Sequence, residues 1–343
     1  MLAGELARLL EEHPGLELAG VTSRSAGTSL VSLHPGLSTD LTTCSLAEAA
    51  GPLRAALLEG PVALFLALPH GASAAAWAEL SGLLGEAAKG LLVVDLAADY
   101  RLADAALYES TYGQAHPDPT GADGFAYGLP ELVRDGLRGA TRAAAPGCFA
   151  TALQLAAVPA ARAGLLAPEE RLVFQGVTGS SGSGVAPKAT THHPFRNENL
   201  FAYAPNGHRH EAELVQALAR EGLAPPVHFL PSSGPFTRGI HLTAFLPLAR
   251  AVDGEELRAQ YAAAYEGEPF VEVLAAGKSP ELRTVVGSNR ASVGVHARDD
   301  LATVLVTLDN TLKGGAGQAL QVMNLLLALP ETAGLPRAGL GYV

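Results

Sequence analysis

Short apolar segments alternate with helical segments through the first 145 residues, and this order restricts the chain to few folds. The runs VALFLALP (62–69) and LLVVDLAAD (91–99) are continuous and apolar, as in strands whose two faces are both covered. The same half holds a helix at 2–13, a strand at 16–24 and a helix or loop at 46–60. Strands that alternate with helices are typical of a doubly wound parallel sheet that binds a nucleotide. We therefore predict an α/β, Rossmann-like domain.

From about residue 170 the strand-like segments follow one another more closely, and several are joined by turns such as ARDD at 297–300. This spacing predicts an α+β domain with a mostly antiparallel sheet and a few helices, at 210–222 and 254–267, before a closing helix at 314–330. The strand-like segments are 171–179, 227–233, 239–249, 270–275, 284–297 and 301–310.

Length and composition limit the class of protein. We expect two domains from 343 residues and place them at 1–147 with 311–343 and at 148–310. The net charge of −11 argues against general nucleic-acid binding, which needs a basic surface. No run reaches the roughly 18 apolar residues that a membrane span needs, and the N-terminus lacks a secretory pattern. With two cysteines far apart, we expect a cytoplasmic protein that contacts no membrane.

One of the two cysteines stands at the predicted start of a helix. Cys148 follows Pro146-Gly147 in RAAAPGCFATALQLAA (142–157). A helix N-terminus lowers a thiol pKa because its dipole favours negative charge, and the thiolate is the nucleophilic form. Backbone N–H groups of the first turn could also hold an oxyanion. The position indicates a nucleophile, although lone cysteines are often simply small buried residues.

The segment YAPNGHRHEAEL (203–214) sets His208 and His210 just before a helix, with Glu213 one turn in. A nucleophilic cysteine needs a base, and the base needs a group that orients it, so these residues could supply both. Two surface histidines are the alternative. A zinc site is a third, less favoured alternative because no C-x-x-C or H-E-x-x-H spacing is present. Its ligands would come from Cys148, His192, His193, His208 and His210.

The long polar segment 178–210 has the length of a functional or disordered loop. Lys188 and Arg196 within it suggest an anion site, and ordinary solvated surface is the alternative for each cation. The wider cationic set is Arg101, Lys188, Arg196, Arg209, Arg238 and Lys313.

Six segments occur in an order that resembles one enzyme family. They are VVDLAADYRL (93–102), YGLPEL (127–132), APGCFAT (145–151), GHRHEAE (207–213), TRGI (237–240) and DNTLKGGAGQALQVMN (309–324). Together they resemble the N-acetyl-γ-glutamyl-phosphate reductases of arginine synthesis. They equally resemble the paralogues of lysine synthesis that reduce an aminoadipyl phosphate held on a carrier protein.

The resemblance implies an NADP-dependent reductase related to aspartate-semialdehyde and glyceraldehyde-phosphate dehydrogenases. Cys148 would attack a small-molecule acyl phosphate, expel phosphate and form a thioester that a hydride reduces to the semialdehyde. His208 would be the general acid/base, with His210 and Glu213 beside it. The implied assembly is a homo-oligomer, either a dimer or a tetramer, and no metal is implied.

The resemblance also implies binding residues. Those expected at the NADP cofactor are Thr22, Ser23, Arg24, Leu68, Pro69, His70, Ser180, Gly182, Asn310, Gly314 and Gly317. Arg24 would meet the 2′-phosphate. Those expected at the substrate are Arg101, Lys188, Arg196 and Arg238.

The chain departs from the family pattern at three places. Ala145 and Ala97 stand where the family usually has Asn and Ser, which puts a few polar contacts in doubt. The family opens with a strand and a glycine-rich loop, whereas this chain begins inside the helix that follows them. We expect the sheet of this domain to lack its first strand, and we therefore expect this chain to bind NADPH weakly. We also expect upstream coding sequence to supply that strand.

The segment TTHHPFRNEN (190–199) resembles the lysine-type paralogues more, with Lys188 and Arg196 meeting a small acidic carrier protein. The sequence therefore favours the lysine type slightly. Two other classes remain as alternatives. One is a cysteine hydrolase that uses Cys148 and His208, and the other is a non-catalytic dinucleotide-binding protein.

Overall fold

The computed structural model describes residues 1–341. Within them the helices are α1 (Leu2–Glu11), α2 (Leu30–Leu33), α3 (Leu46–Glu59), α4 (Ser73–Leu84), α5 (Ala105–Tyr112), α6 (Pro119–Ala122), α7 (Pro130–Leu137), α8 (Cys148–Arg162), α9 (His193–Arg196), α10 (His210–Arg220), α11 (Gly254–Ala264) and α12 (Ala316–Leu326). The strands are β1 (Val21–Thr22), β2 (Thr43–Cys44), β3 (Val62–Leu66), β4 (Leu91–Asp95), β5 (Ala126–Tyr127), β6 (Arg142–Ala144), β7 (Leu172–Thr178), β8 (Phe201–Ala202), β9 (Val227–Ser233), β10 (Ile240–Pro247), β11 (Val271–Val273), β12 (Ala291–Arg298) and β13 (Leu301–Leu308).

The first half of the chain forms a parallel sheet in the order β3-β4-β6-β5. Successive residues of the buried strand β4 point to opposite faces. Val93 packs in the core with α3 and α4, and Val94 packs in the core with α12. Helices therefore cover both faces of the sheet, which confirms the predicted doubly wound α/β fold. Through α12 the end of the chain returns to this half and packs against α1 and β4.

The strand predicted at 16–24 is much shorter in the structure. Only Val21 and Thr22 are paired, in parallel with Thr43 and Cys44, as a separate two-stranded sheet. A strand needs a ladder partner for its backbone groups, and within residues 1–341 β3 is hydrogen-bonded to β4 alone. The side chains of Val62 to Phe65 are only half-buried. The open β3 edge agrees with the expectation that this sheet lacks its first strand.

The largest sheet of the described residues has the order β11-β12-β13-β10-β7-β9-β8, and four of its six pairings are antiparallel. This confirms the predicted mostly antiparallel sheet. Helix α8 lies against β10 and β13 and contacts α10 and α11. Every residue of α8 from Phe149 to Ala161 is buried. The helix is thus the central element of the core, and its first residue, Cys148, is held by packing along the whole helix.

A proline inside α8 is compensated by two tyrosines. Pro159 lacks the N–H that would otherwise reach the Leu155 carbonyl. That carbonyl accepts a hydrogen bond from the Tyr265 hydroxyl at 2.7 Å, and the Tyr261 hydroxyl donates to the Ala156 carbonyl at 2.5 Å. The helix that carries the thiol is therefore anchored at its middle by α11 and the residue that follows it.

The segment 178–210, predicted as a long loop, contains short ordered elements. The 3-10 turns Ser180–Ser183 and Ala189–Thr191 precede α9, and β8 pairs with β9. Between β4 and α8 the structure adds β5, β6 and three helices that the apolar pattern did not indicate, because these elements are short. None of the helices in residues 1–341 combines the length and the apolar character needed to cross a membrane.

Candidate active site

The thiol stands at the start of α8. Gly147 is the N-cap residue, and the first intrahelical hydrogen bond runs from the Thr151 N–H to the Gly147 carbonyl at 2.9 Å. The Cys148 side chain is half-buried. Burial raises the pKa of the Cys148 thiol, and the Arg101 charge and the Phe149 N–H oppose this rise only in part. The helix start lowers the pKa through the Phe149 N–H as predicted, but burial raises it more, so the net shift is upward and favours the protonated thiol.

His210 lies against the residue before Cys148, and His208 packs against His210. A Cβ added at Gly147 would collide with His210 Nε2, so this imidazole lies against the residue before Cys148. His210 Nδ1 is buried and has no hydrogen-bond partner in the described part of the chain. The rings of His208 and His210 meet edge to face with centroids 4.6 Å apart, and His208 Nδ1 accepts from the His210 backbone N–H at 3.3 Å.

Both imidazoles are neutral at neutral pH. Burial lowers the pKa of His208 to about 4, and the Arg209 charge adds to the lowering. Burial lowers the pKa of His210 well below its ordinary value, with His208 and Arg101 adding to the effect. A neutral imidazole can accept a proton, so either ring can serve as a base. His210 is the one that lies against Gly147, the residue before Cys148.

Glu213 is buried and its carboxylate faces the start of α8. It accepts hydrogen bonds from the Tyr127 hydroxyl at 2.8 Å and from the Gly147 N–H at 3.1 Å, and it pairs with Arg101 at 3.4 Å. Among residues 1–341 it makes no recorded hydrogen bond to either histidine. Its observed contacts therefore hold the turn that leads into Cys148, whereas the sequence predicted that it would orient the base.

Arg101 is buried beside this carboxylate, and protein groups occupy much of its guanidinium. Its Nε donates to the Ala145 carbonyl at 2.8 Å, and Nη2 donates to the Leu96 carbonyl at 2.9 Å. The predicted substrate contact thus competes with contacts inside the protein. What Arg101 supplies in the structure is a positive charge near the thiol and a clamp on the residues before Pro146.

The turn 309–315 closes the site from the other side. The Asp309 carboxylate accepts from the Thr311 N–H and hydroxyl, both at 2.8 Å. Asn310 Oδ1 accepts from the Gly239 N–H at 2.6 Å, and its Nδ2 donates to the Ser181 hydroxyl at 2.9 Å. The predicted cofactor residue Asn310 is therefore tied to the loop that holds two others, Ser180 and Gly182.

Gly314 lies directly against the Cys148 side chain. A Cβ built there would stand 2.7 Å from Cys148 Cβ and 2.9 Å from Asn310 Cα. The predicted Gly317 packs elsewhere, against the Asn289 side chain. Glycine at 314 is thus required by close approach, because any side chain would displace the thiol or the turn.

Gly314→Ala is expected to lower kcat by about 10², because a shift near 1 Å at a reacting atom costs roughly that factor. Gly136→Ala is the matched control, since a Cβ at this helical glycine meets nothing within 4 Å. Steady-state kinetics of both variants check the result. Equal turnover by the two variants would show that the turn yields without moving the thiol.

The predicted cofactor residues of the first half lie at the ends of β1 and β3. Thr22 is the last residue of β1, and Ser23 and Arg24 follow it. The Arg24 guanidinium is exposed and makes no recorded hydrogen bond or ion pair within residues 1–341. A free guanidinium after the strand that ends at Thr22 suits the 2′-phosphate of NADP. This end of the site fits the expected cofactor.

The second cofactor segment follows β3. Leu68 and Pro69 are exposed, and His70 Nδ1 is hydrogen-bonded to Asp99 Oδ1 at 3.0 Å. The same carboxylate accepts backbone N–H groups at the start of α4, including that of Ser73 at 3.0 Å. His70 thus belongs to a turn that Asp99 holds rigidly at the end of the strand.

The structure separates the remaining predicted substrate residues. Lys188 is exposed. Arg196 is buried and donates to the hydroxyl of the last β9 residue at 2.5 Å, so it is not an exposed carrier contact. Arg238 pairs with Asp309 at 3.0 Å and with Glu5 at 3.1 Å. Protein carboxylates therefore hold Arg238, and its contacts join α1 to the turn beside the thiol.

A metal site at the histidines finds no support in the described residues. Among residues 1–341, the group of side chains with metal-ligand spacing consists of Glu131, Glu268 and Glu331. Arg134 pairs with two of these carboxylates and Lys313 with the third. Protein cations already neutralise much of this cluster.

Sequence reasoning assigned no role to Tyr127 and Gln154. Tyr127 donates to Glu213, and Gln154 Nε2 donates to the Tyr127 hydroxyl at 2.5 Å. The segment YGLPEL, which contains Tyr127, is one of the six segments of the resemblance. The role of Tyr127 depends on its contact with Glu213, a residue far away in the sequence.

Two families match the chain. Residues 1–140 match the family described as semialdehyde dehydrogenase, NAD binding domain. Residues 148–310 match the family described as semialdehyde dehydrogenase, dimerisation domain. The two matched segments meet close to the start of α8, where the thiol lies.

Similar proteins extend over nearly the whole chain. The N-acetyl-gamma-glutamyl-phosphate reductase of Halorhodospira halophila is 41% identical and covers 99% of this chain and 95% of its own. That of Azotobacter vinelandii is 40% identical, with 98% and 95% covered. That of Pseudomonas aeruginosa is also 40% identical, with the same coverage.

Solved structures share the fold at low identity. Aspartate semialdehyde dehydrogenase II from Vibrio cholerae superposes with a TM-score of 0.66 at 15% identity and covers 95% of both chains. Aspartate semialdehyde dehydrogenase with NADP from Candida albicans has a TM-score of 0.64 at 17% identity and covers 95% of this chain and 96% of its own. The two-domain architecture is therefore that of the semialdehyde dehydrogenases.

Proposed function

The chain belongs to the N-acetyl-gamma-glutamyl-phosphate reductase family of NADP-dependent oxidoreductases, and we propose that it reduces N-acetyl-γ-glutamyl phosphate to the semialdehyde in arginine biosynthesis. One observation carries the proposal: the Cys148 thiol begins α8 with the neutral His210 ring against the preceding residue. A protonated thiol needs a neutral base close by, and the site contains both.

The first half-reaction follows from these two groups. The thiol proton passes to His210, and the Sγ of Cys148 bonds to the acyl carbon while the bond from that carbon to the phosphate oxygen breaks. The products of this step are a thioester and inorganic phosphate. The low pKa of the imidazoles keeps the base unprotonated before the attack and makes the imidazolium a good acid afterwards.

The start of α8 supports the developing negative charge. The N–H groups of Cys148, Phe149 and Ala150 precede the first intrahelical bond, which Thr151 donates. The Phe149 N–H is hydrogen-bonded to the Cys148 sulfur. The N–H groups of Cys148 and Ala150 lie at a helix N-terminus, where the dipole favours an anion on the acyl oxygen.

The cofactor site would use the residues that fit it. Arg24 would hold the 2′-phosphate, and the loop of Ser180 and Gly182, braced by Asn310, would hold the nicotinamide end. Bound NADPH would supply the hydride that reduces the thioester carbon. The bond from that carbon to Sγ would then break, the aldehyde would leave, and the Cys148 thiolate would take back its proton from the imidazolium. The proton that the released phosphate takes up would come from solvent.

The substrate is an anion, and the site is locally positive despite the acidic chain. Arg209 lies between the two histidines in sequence, is exposed, and acts electrostatically on Cys148 and on both imidazoles. Its charge is therefore available to the phosphate of the incoming substrate.

The N-acetylated substrate is supported better than the carrier-bound one. The relatives at about 40% identity are named for the N-acetylated compound. The lysine-type preference came from the resemblance of TTHHPFRNEN (190–199), with Lys188 and Arg196 as the expected carrier contacts, and Arg196 is buried. The carrier-bound alternative remains a prediction without a structural contact in its favour.

A substrate comparison tests the proposal. We expect efficient NADPH-dependent reduction of N-acetyl-γ-glutamyl phosphate by the purified chain, and we expect Lys188→Glu to leave it unchanged if the exposed Lys188 serves only a carrier protein. Turnover of the carrier-bound aminoadipyl phosphate alone, with a higher KM in Lys188→Glu, would establish the lysine type. Cys148-dependent hydrolysis without NADPH would establish a hydrolase, and NADPH binding without turnover would establish a binding protein.

The dimerisation-domain match suggests self-association through residues 148–310. We expect sedimentation to give a mass above the 35.2 kDa of one chain. A mass equal to one chain at assay concentration would contradict this part of the proposal.

A further inference from the structure

We propose that the buried ion pair of Lys313 and Glu131 positions the Cys148 thiol through the turn 309–315. The inference rests on the proposed function, since it takes Cys148 as the nucleophile. Both are positioning residues, which act through the turn and not by contact with substrate.

Lys313 is fully buried, which is rare for a lysine. Its Nζ donates to Glu131 Oε1 at 2.5 Å and to Gln321 Oε1 at 2.7 Å. Gln321 Nε2 donates to the same Glu131 oxygen at 2.8 Å, so the three side chains form a closed group. Because Glu131 lies in α7 and Gln321 in α12, this group ties the turn to two helices.

The tied turn lies against the nucleophile. Lys313 immediately precedes Gly314, which contacts the Cys148 side chain. On the other side, a Cβ at Gly315 would collide with Leu2 of α1, so this backbone is also closely packed. A displacement of the Lys313 backbone therefore passes directly to the space around the thiol.

The buried ion pair of Lys313 and Glu131 is better explained by the backbone positions that it fixes than by a contribution to folding stability. Apolar side chains would fill the same volume without the cost of taking two charges out of water. A buried ion pair has few arrangements that satisfy both charges, so it specifies where the backbones meet. Glu131 Oε2 is itself buried with no hydrogen-bond partner in residues 1–341, so the group is not optimised for stability.

The test uses Cys44→Ser as the parent protein, which leaves Cys148 as the single thiol. Two variants are compared in it: Lys313→Met, and Lys313→Met with Glu131→Gln. The second removes both charges at nearly constant side-chain volume. The measurements are the thermal midpoint, the pH profile of Cys148 alkylation by iodoacetamide, kcat, and KM for NADPH.

We expect Lys313→Met to lower the thermal midpoint, because it leaves Glu131 charged and unpaired. We expect the double variant to regain most of the midpoint, while its alkylation profile stays shifted and its kcat stays about tenfold or more below the parent value. KM for NADPH is measured as well, because Asn310 and Gly314 of the same turn are predicted cofactor residues, and a rise in this KM with an unshifted alkylation profile would overturn the inference.

Arg162→Met is the matched control. Arg162 ends the same helix α8, pairs with Glu221 at 2.9 Å and donates to the Leu132 carbonyl at 2.6 Å. Its loss removes an ion pair at the opposite end of α8 from the Cys148 thiol. It should lower the midpoint without changing the alkylation profile or kcat.

Recovery of midpoint, alkylation profile and kcat together in the double variant would overturn the inference, because the pair would then be structural only. The alkylation profile needs no turnover, so the inference can fail while the reductase reaction stands. Conversely, full reductase activity in a variant without Cys148 would remove the proposed function itself. If Lys313→Met alone does not fold, the double variant still decides between the outcomes.

Discussion

Cys148→Ser is expected to lose reductase activity by several orders of magnitude while keeping its fold. A hydroxyl is far less acidic than a thiol, and the burial that already raises the pKa of Cys148 would penalise an alkoxide more. His210 could then not draw off the proton at a useful rate. In a serine protease whose catalytic groups act as a unit, loss of the nucleophile lowers kcat by about 10⁶.

The fold should survive because the sulfur contributes little to the start of α8. Gly147 is held by Glu213, and the helix is buried from Phe149 onward. The measurement is NADPH oxidation with the acyl phosphate, together with a thermal midpoint. Cys44→Ser is the control, since its thiol lies in β2 and donates a hydrogen bond to the Val21 carbonyl at 3.7 Å. More than a tenth of the parent activity in Cys148→Ser would eliminate the thioester route.

His210→Asn is expected to lower kcat by about 10²–10⁴, the usual contribution of a general acid/base. Asparagine keeps a polar side chain against Gly147 but cannot take the thiol proton. The same change should slow alkylation of Cys148 at neutral pH, because the protonated thiol would lose its neighbouring base. KM for NADPH should be nearly unchanged, because the ring lies against Gly147, the residue before Cys148.

His208→Asn is the matched comparison and should be the milder change. His208 Nδ1 accepts from the His210 N–H, so this residue supports the position of the other ring. Single-turnover rates with both variants separate the two roles. A larger loss in His208→Asn would restore the assignment that the motif suggested, with His208 as the acid/base and His210 beside it.

Local patterns in the sequence were sufficient for the architecture. The continuous apolar runs at 62–69 and 91–99 became β3 and β4, and the close strand spacing after residue 170 became the larger sheet. These features depend on which residues a strand buries, and that information lies within a few positions. The helix start at Cys148 followed from Pro146-Gly147 for the same reason.

The site depended on contacts between residues far apart in the chain. Glu213 and His210 are separated from Gly147 by more than 60 positions, and the fold alone decides that the carboxylate binds this N–H while the imidazole lies beside it. Burial decided the direction of the pKa shift at Cys148, because desolvation of the thiolate outweighs the charges of Arg101 and Arg209 and the Phe149 N–H. Arg196 and Lys313 are interior residues, and only the tertiary structure shows this. The sequence shows that each carries a charge, but not which carboxylate, hydroxyl or carbonyl lies beside that charge.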